Sequence, residues 1–110
     1  MIEPQHIRSR DNPLLVQLRK LVQDGAAYRR TGQVWLEGEH LCGALRGRGV
    51  MPLRAVISEE GWQQPRLRAL CSGVAQVSVM AAPLFAGIST LASPAMIGLL
   101  IATQIGRAHV

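Results

Sequence analysis

The chain has 110 residues, with twelve Lys and Arg against seven Asp and Glu, so its net charge is +5. This length fits a single domain with one core and excludes a second domain. The excess of positive charge, carried almost entirely by Arg, favours nucleic acid as the partner, although a genomic base bias also enriches Arg.

A first helix is predicted to begin at Pro13, because Asn12 can cap the free N–H groups and Pro already has the helical φ. Gly25 is predicted to follow its end. Four basic residues lie before this helix and on its polar face, and they are either a nucleic-acid contact or a solvated face: Arg8, Arg10, Arg19 and Lys20. Apolar residues recur at three- and four-residue spacing to form the buried face, at Leu14, Leu15, Leu18, Leu21 and Val22.

The next segment, residues 28–32, is polar and is predicted to be a connector that carries Arg29 and Arg30. Guanidinium groups there could clamp successive phosphates, and the alternative is a solvated loop. A strand is predicted over residues 33–36, so that Glu37 and Gly38 lie at a strand-to-helix junction before a second helix. Gly38 would let a nucleic-acid backbone approach closely, whereas Glu37 would position the loop.

Strands are also predicted over residues 53–57, 75–79 and 97–102, with a helix over residues 64–71 and a short helix opened by Pro83. In the strand at 75–79, Val77 and Val79 are expected to face inward and Ser78 outward. Residues 1–6 are interpreted as a linker. This alternation predicts an α/β fold, with helices against a small mixed sheet of about four strands.

The segment from residue 69 to 106 has no charged residue, which raises the question of a membrane span. Pro and Gly residues divide it into pieces far shorter than the roughly 20 residues that a bilayer requires, so short buried elements are predicted instead. The two cysteines, Cys42 and Cys71, are interpreted as reduced core thiols. Without an apolar signal segment at its start, the chain is predicted to be cytoplasmic.

Two ordered motifs carry a family resemblance. The first is S-x-x-N-P-L-L-x-x-L-R-x-L over residues 9–21, and the second is R-x-x-G-x-x-x-L-E-G over residues 29–38, with either Arg29 or Arg30 as its Arg. Together with Leu84-Phe85, Ile88-Ser89 and residues 94–102, they resemble the N-terminal substrate-binding domain of SpoU/TrmH-type RNA 2′-O-ribose methyltransferases.

The resemblance implies an L30e-like three-layer α/β/α sandwich over residues 1–103 that binds structured RNA, either rRNA or tRNA. The resemblance implies that the strand-to-helix region at Glu37 and Gly38 belongs to the RNA-binding site, with Glu37 positioning the loop. The charge pattern adds the basic candidates for RNA binding, which are Arg8, Arg10, Lys20, Arg29 and Arg30. In the family, the S-adenosylmethionine site and the catalytic residues lie in a following domain, which also forms the homodimer. Residues 104–110 match none of that domain's motifs and are interpreted as a tail produced by truncation or by foreign sequence.

No catalytic, cofactor or metal residues are therefore predicted within this chain, whose sequence holds no P-loop, GxGxxG or triad pattern. Whether the chain counts as an enzyme is left open, because it resembles only part of one. Two alternatives remain. One is a free-standing L30e-like RNA-binding accessory protein, and the other is a protein-interaction module that docks through its apolar C-terminal half.

Overall fold

The computed structural model describes residues 3–91 and 93–103, and its centre is one five-stranded sheet. The strands are β1 (Gln5–Ile7), β2 (Gln33–Glu37), β3 (Arg54–Ser58), β4 (Val77–Met80) and β5 (Ile97–Ala102). Their order across the sheet is β1-β4-β3-β5-β2. The pairs β1–β4 and β3–β4 are parallel, while β5 runs antiparallel to both β2 and β3. The predicted α/β class with a mixed sheet is confirmed.

The strand β1 corrects the prediction of about four strands and of a linker at residues 1–6. Gln5, His6 and Ile7 pair with Ser78, Val79 and Met80 of β4. Only Ile7 of the three is buried. A strand this short, with a single inward side chain, carries no alternation that sequence analysis can detect.

Within the described residues, six helices accompany the sheet: α1 (Pro13–Gln23), α2 (Ala27–Thr31), α3 (Glu39–Gly47), α4 (Glu59–Trp62), α5 (Pro65–Ala69) and α6 (Ala82–Ala86). The predicted start of α1 is confirmed, since the Asn12 side chain accepts a hydrogen bond from the Leu14 N–H at 2.9 Å. Among the described residues, no helix has the length and apolar character needed to cross a bilayer.

The polar connector predicted at residues 28–32 is instead mostly the short helix α2. Gly32 closes it in the left-handed region, at φ 69°, with its N–H donating to the Tyr28 carbonyl at 2.9 Å. Five residues are too few for a helical period to show in the sequence. The glycine was the only local signal of a helix end.

The sheet separates two apolar cores. The first core joins α1 and α6 to one face, through residues that include Leu15, Leu18, Trp35, Val56 and Phe85. The second core joins α3 and α5 to the other face, through residues that include Cys42, Ala55, Ile57, Leu67 and Cys71. Adjacent residues of β3 enter opposite cores, as the two-residue period of a strand requires. The predicted three-layer α/β/α arrangement is confirmed.

Ser78 is fully buried, contrary to the prediction that it faces outward. It belongs to β4, which lies between β1 and β3 and is covered on both faces. The half-buried Arg54 donates a hydrogen bond to the Ser78 hydroxyl at 3.2 Å, which satisfies the one polar side chain in that strand.

Trp35 is a core residue and is 8% exposed. Its ring packs against Phe85 with the centroids 6.1 Å apart and crosses the backbone of β5 at Gly98. A Cβ atom at position 98 would lie well inside van der Waals contact distance of the Trp35 ring atoms Cζ2 and Cη2. Glycine is thus required there because of the close approach of the indole.

Candidate nucleic-acid interface

The predicted contact residues divide between two ends of the sheet. Glu37 is the last residue of β2 and Gly38 follows it, while Arg8 follows the carboxyl end of β1, which runs in the same direction as β2. These strands are the two outermost of five, so four strand spacings, about 19 Å, separate them. Arg29 and Arg30 precede the amino end of β2, about 13 Å along that strand from Glu37. The predicted contact residues therefore do not form one compact site.

Glu37 is buried and binds the segment that follows α6. Its carboxylate accepts hydrogen bonds from the Ser89 hydroxyl at 2.6 Å, the Thr90 N–H at 2.5 Å and the Thr90 hydroxyl at 2.7 Å. With these three donors, its oxygens hold a loop in place, and the carboxylate is directed into the protein. Sequence analysis expected a positioning role for Glu37 but did not find its partners, although the resemblance had drawn attention to the Ser89 turn.

Gly38 is the residue before α3 and has φ 112°, a conformation that L side chains rarely adopt. Its N–H donates to the Ile97 carbonyl at 3.0 Å, which ties the junction to β5. The adjacent helix start already carries the carboxylate of Glu39, whose pKa is held below its usual value by the hydrogen bond from Arg66 at 2.8 Å. The ionised acid at this position disfavours a second anion at the same helix end.

The Arg pair lies on α2, beside the end of α1. Arg30 donates to the Asp24 carboxylate at 2.9 Å, and both side chains are exposed. The pKa of Asp24 is lowered first by a hydrogen bond from the Ala26 N–H and then by Arg30. Arg29 donates to the Tyr28 hydroxyl at 3.2 Å and lies over the Tyr28 ring, 5.7 Å from its centroid. Of the two, Arg29 is the one that has no acid partner among the described residues.

In the second basic group, Arg8 and Arg10 precede α1, whose eleven residues span about 16 Å, while Arg19 and Lys20 lie in the second half of this helix. Arg19 reaches back to the Arg10 carbonyl at 2.8 Å, which gathers these two residues. Arg8, Arg10 and Lys20 are exposed, and within residues 3–91 and 93–103 their side chains form no ion pair. A row of cations thus borders α1 from its beginning to the helix that follows it.

Basic residues on the opposite face are mostly bound within the protein. Arg66 pairs with Glu39, Arg68 donates to the Trp62 carbonyl at 2.6 and 2.8 Å, and Arg46 donates to the carbonyls of Val50 and Ser72. The guanidinium of Arg68 also covers the Trp62 ring, 4.8 Å from its centroid. Trp62 is therefore already stacked on one side by an arginine.

No family model and no curated protein matches this chain. Solved structures do. A crystal structure of an RNA 2′-O-ribose methyltransferase matches 94% of the chain, with a TM-score of 0.75 and 18% identity. The crystal structure of an rRNA methyltransferase from Sinorhizobium meliloti matches 90% of the chain, with a TM-score of 0.69 and 19% identity. The SpoU methyltransferase AviRb from Streptomyces viridochromogenes, in complex with the cofactor AdoMet, matches 84%, with a TM-score of 0.64 and 16% identity.

These matches define the fold as one that forms a part of SpoU-type RNA methyltransferases, and they confirm at the level of fold the resemblance seen in the sequence. The chain spans only 39%, 37% and 33% of the lengths of those three structures.

Proposed function

We propose that this chain is the RNA-substrate-binding domain of a TrmH/SpoU-like, S-adenosylmethionine-dependent RNA 2′-O-ribose methyltransferase, and that methyl transfer belongs to a separate catalytic domain. Its partners would be structured rRNA or tRNA and that catalytic domain, within a homodimeric cytoplasmic enzyme. The domain itself holds no cofactor. Its task is to grip the RNA so that one ribose reaches the methyl donor.

The division of charge between the two faces carries this proposal. Residues 8–32 contain six basic and two acidic side chains, and so account for four of the five net positive charges of the whole chain. These residues form α1, α2 and the segments beside them, on the first-core face. Cations that lack an acid partner are the ones that can exchange bound counterions for phosphates.

The experiment that tests the proposal measures affinity against salt. A fluorescent rRNA stem-loop is titrated with the protein at several salt concentrations, and the slope of log K against log salt is determined. The double variant Arg29→Gln with Arg30→Gln is expected to reduce the steepness of that slope by roughly 1.4 to 1.8 if both arginines contact phosphate. The double variant Arg8→Gln with Arg10→Gln is also expected to make the slope of log K against log salt less steep.

The matched control removes the same charge from the other face, through Arg48→Gln with Arg66→Gln. Both are exposed residues on the second-core side. We expect this control to bind RNA nearly as tightly as the unmodified protein and with the same salt slope. Equal losses from both faces would mean that only net charge matters, and binding unaffected by salt would contradict the proposal altogether.

A further inference from the structure

A cleft of about 170 Å³ lies between the end of α1, α2 and β2. Its walls include the apolar side chains of Leu21 and Val22 and the polar or aromatic residues Tyr28, Gln33, Trp35 and Thr90. None of the roles given above to the basic residues uses this cleft. We propose that it binds one unstacked pyrimidine base, with uracil preferred, from the RNA held by the neighbouring arginines; the inference rests on the proposed function.

The size of the cleft supports a single aromatic ring. A protein cavity of roughly 150 Å³ holds one benzene molecule. A space of about 170 Å³ therefore admits a six-membered ring with its substituents, whereas the fused double ring of a purine would need more room. Apolar side chains on one wall and an indole on another suit the two faces of such a ring.

Unused hydrogen-bond donors around the cleft point to a ligand with carbonyl groups. The Trp35 indole N–H is buried and has no partner among the described residues. The Tyr28 hydroxyl oxygen accepts a bond from Arg29, and its own proton has no acceptor within the described part of the chain. The Gln33 side-chain oxygen accepts from Gln17, which leaves the Gln33 amide protons free. Asp24, the acid in the lining, already accepts hydrogen bonds from Ala26 and Arg30, so the groups left open are donors. Uracil presents the O4 acceptor where cytosine carries an amino donor, so this lining favours uracil.

The orphaned indole N–H is the strongest of these observations. A buried donor without a partner is rare in proteins and destabilises the fold. An acceptor supplied by a bound base would remove that penalty on binding. Arg29, which lies over the ring of Tyr28, is placed to meet the phosphate attached to the same nucleotide.

The test uses the intrinsic fluorescence of Trp35. The chain has two tryptophans, so the variant Trp62→Phe leaves Trp35 as the only indole fluorophore. This variant is titrated with three hairpin RNAs that share one stem and differ in the loop, which contains uridines, adenosines or abasic sites. We expect the uridine loop to quench or shift the Trp35 emission, and the adenosine and abasic loops to leave it nearly unchanged.

A second measurement compares affinities by the anisotropy of labelled RNA. Trp35→Phe keeps an aromatic ring and removes the N–H donor, and it should weaken binding of the uridine loop about threefold to tenfold relative to the abasic loop, with an unchanged salt slope. Val22→Phe, which fills the cleft from α1, should give the same loss of preference. Thermal melting checks that both variants remain folded.

Failure of this inference is distinguishable from failure of the proposed function. Tight, salt-dependent binding of all three hairpins with identical Trp35 emission would overturn the base pocket and leave the RNA-binding role intact. If no hairpin binds, both proposals fail. A preference for adenosine over uridine would also overturn the assignment, because a purine needs more room than this cleft offers.

Discussion

The carboxylate of Glu37 holds Thr90 by two hydrogen bonds, one from its backbone N–H at 2.5 Å and one from its hydroxyl at 2.7 Å. Ser89 adds a third at 2.6 Å. The end of β2 is thereby fastened to the loop that follows α6. Because Thr90 also lines the cleft beside Trp35, this contact sets the position of one of its walls.

Removing the Glu37 carboxylate should destabilise the protein substantially. Glu37→Ala leaves the hydroxyls of Ser89 and Thr90 and one backbone N–H without their acceptor, and hydrogen bonds to charged groups contribute about 1.5 to 3 kcal/mol each. Water can replace some of these hydrogen bonds because the loop is partly exposed. We therefore expect the free energy of unfolding, measured by urea denaturation, to fall by about 2 to 4 kcal/mol.

The exposed Glu60 provides the comparison, and Glu60→Ala should change the free energy of unfolding by less than about 0.5 kcal/mol. A double-mutant cycle between Glu37→Ala and Ser89→Ala should show coupling, because the two residues share one hydrogen bond. Strictly additive effects would show that the contact does not contribute to stability.

Gly98→Ala is expected to destabilise the protein by about 1 to 3 kcal/mol or more, because its methyl group would overlap the Trp35 ring. The clash involves Cζ2 and Cη2, atoms of the indole that phenylalanine does not have. Trp35→Phe combined with Gly98→Ala should therefore be more stable than the sum of the two single changes predicts. Chemical denaturation of all four proteins tests this, and simple additivity would argue against the packing.

The two thiols should be unreactive in the folded protein. Burial raises the pKa of Cys42 to about 12 and that of Cys71 to about 11, from the ordinary value of 9.0. At pH 8 both remain protonated, and we expect 5,5′-dithiobis(2-nitrobenzoate) to label them only after unfolding. Rapid labelling of the native protein would contradict their burial.

The same shifts give the stability a pH dependence. Above pH 9 the unfolded thiols lose protons that the folded ones keep until about pH 11 to 12, so the native state binds more protons and its stability falls as the pH rises. Below pH 9 neither state is ionised at these groups, and they contribute no slope. Cys71→Ala should reduce the alkaline slope.

The ion pair between Arg66 and Glu39 should be visible in the titration of Glu39. The guanidinium, at 2.8 Å, lowers the pKa of Glu39 below its ordinary 4.5, so the stabilisation is present above that pH and is lost as the pH falls through the lowered value. Arg66→Gln should raise the pKa of Glu39 towards 4.5 in a carboxyl ¹³C NMR titration. Arg68→Gln, which alters a residue bound to Trp62, should leave it unchanged.

Elements with local signals were predictable from the sequence. The cap at Asn12, the proline at position 13 and the apolar period together defined the start of α1, and the run at residues 97–102 gave β5 with its observed bounds. In both cases neighbouring residues determine the structure. The charge of the α1 segment could likewise be read directly from the sequence.

Features that depend on distant residues were not predictable. The three residues of β1 become a strand only by pairing with β4, about seventy positions later. The acceptor role of Glu37 depends on Ser89 and Thr90, and the donor-lined cleft needs four separate segments to meet. The Arg pair and Gly38 are close in sequence, yet the extended backbone of β2 places them at opposite ends of a strand.

The position of β2 at the edge of the sheet has a consequence for how the chain acquires its structure. Residues 33–37 hydrogen-bond to β5 and to no other described strand, so they have no partner until residues 97–102 have been synthesised. Such pairing between distant segments slows folding and keeps early segments exposed. Trp35, the arginine-bearing helix before it and the glutamate at its end should therefore become ordered together and late, when the last strand inserts between β2 and β3.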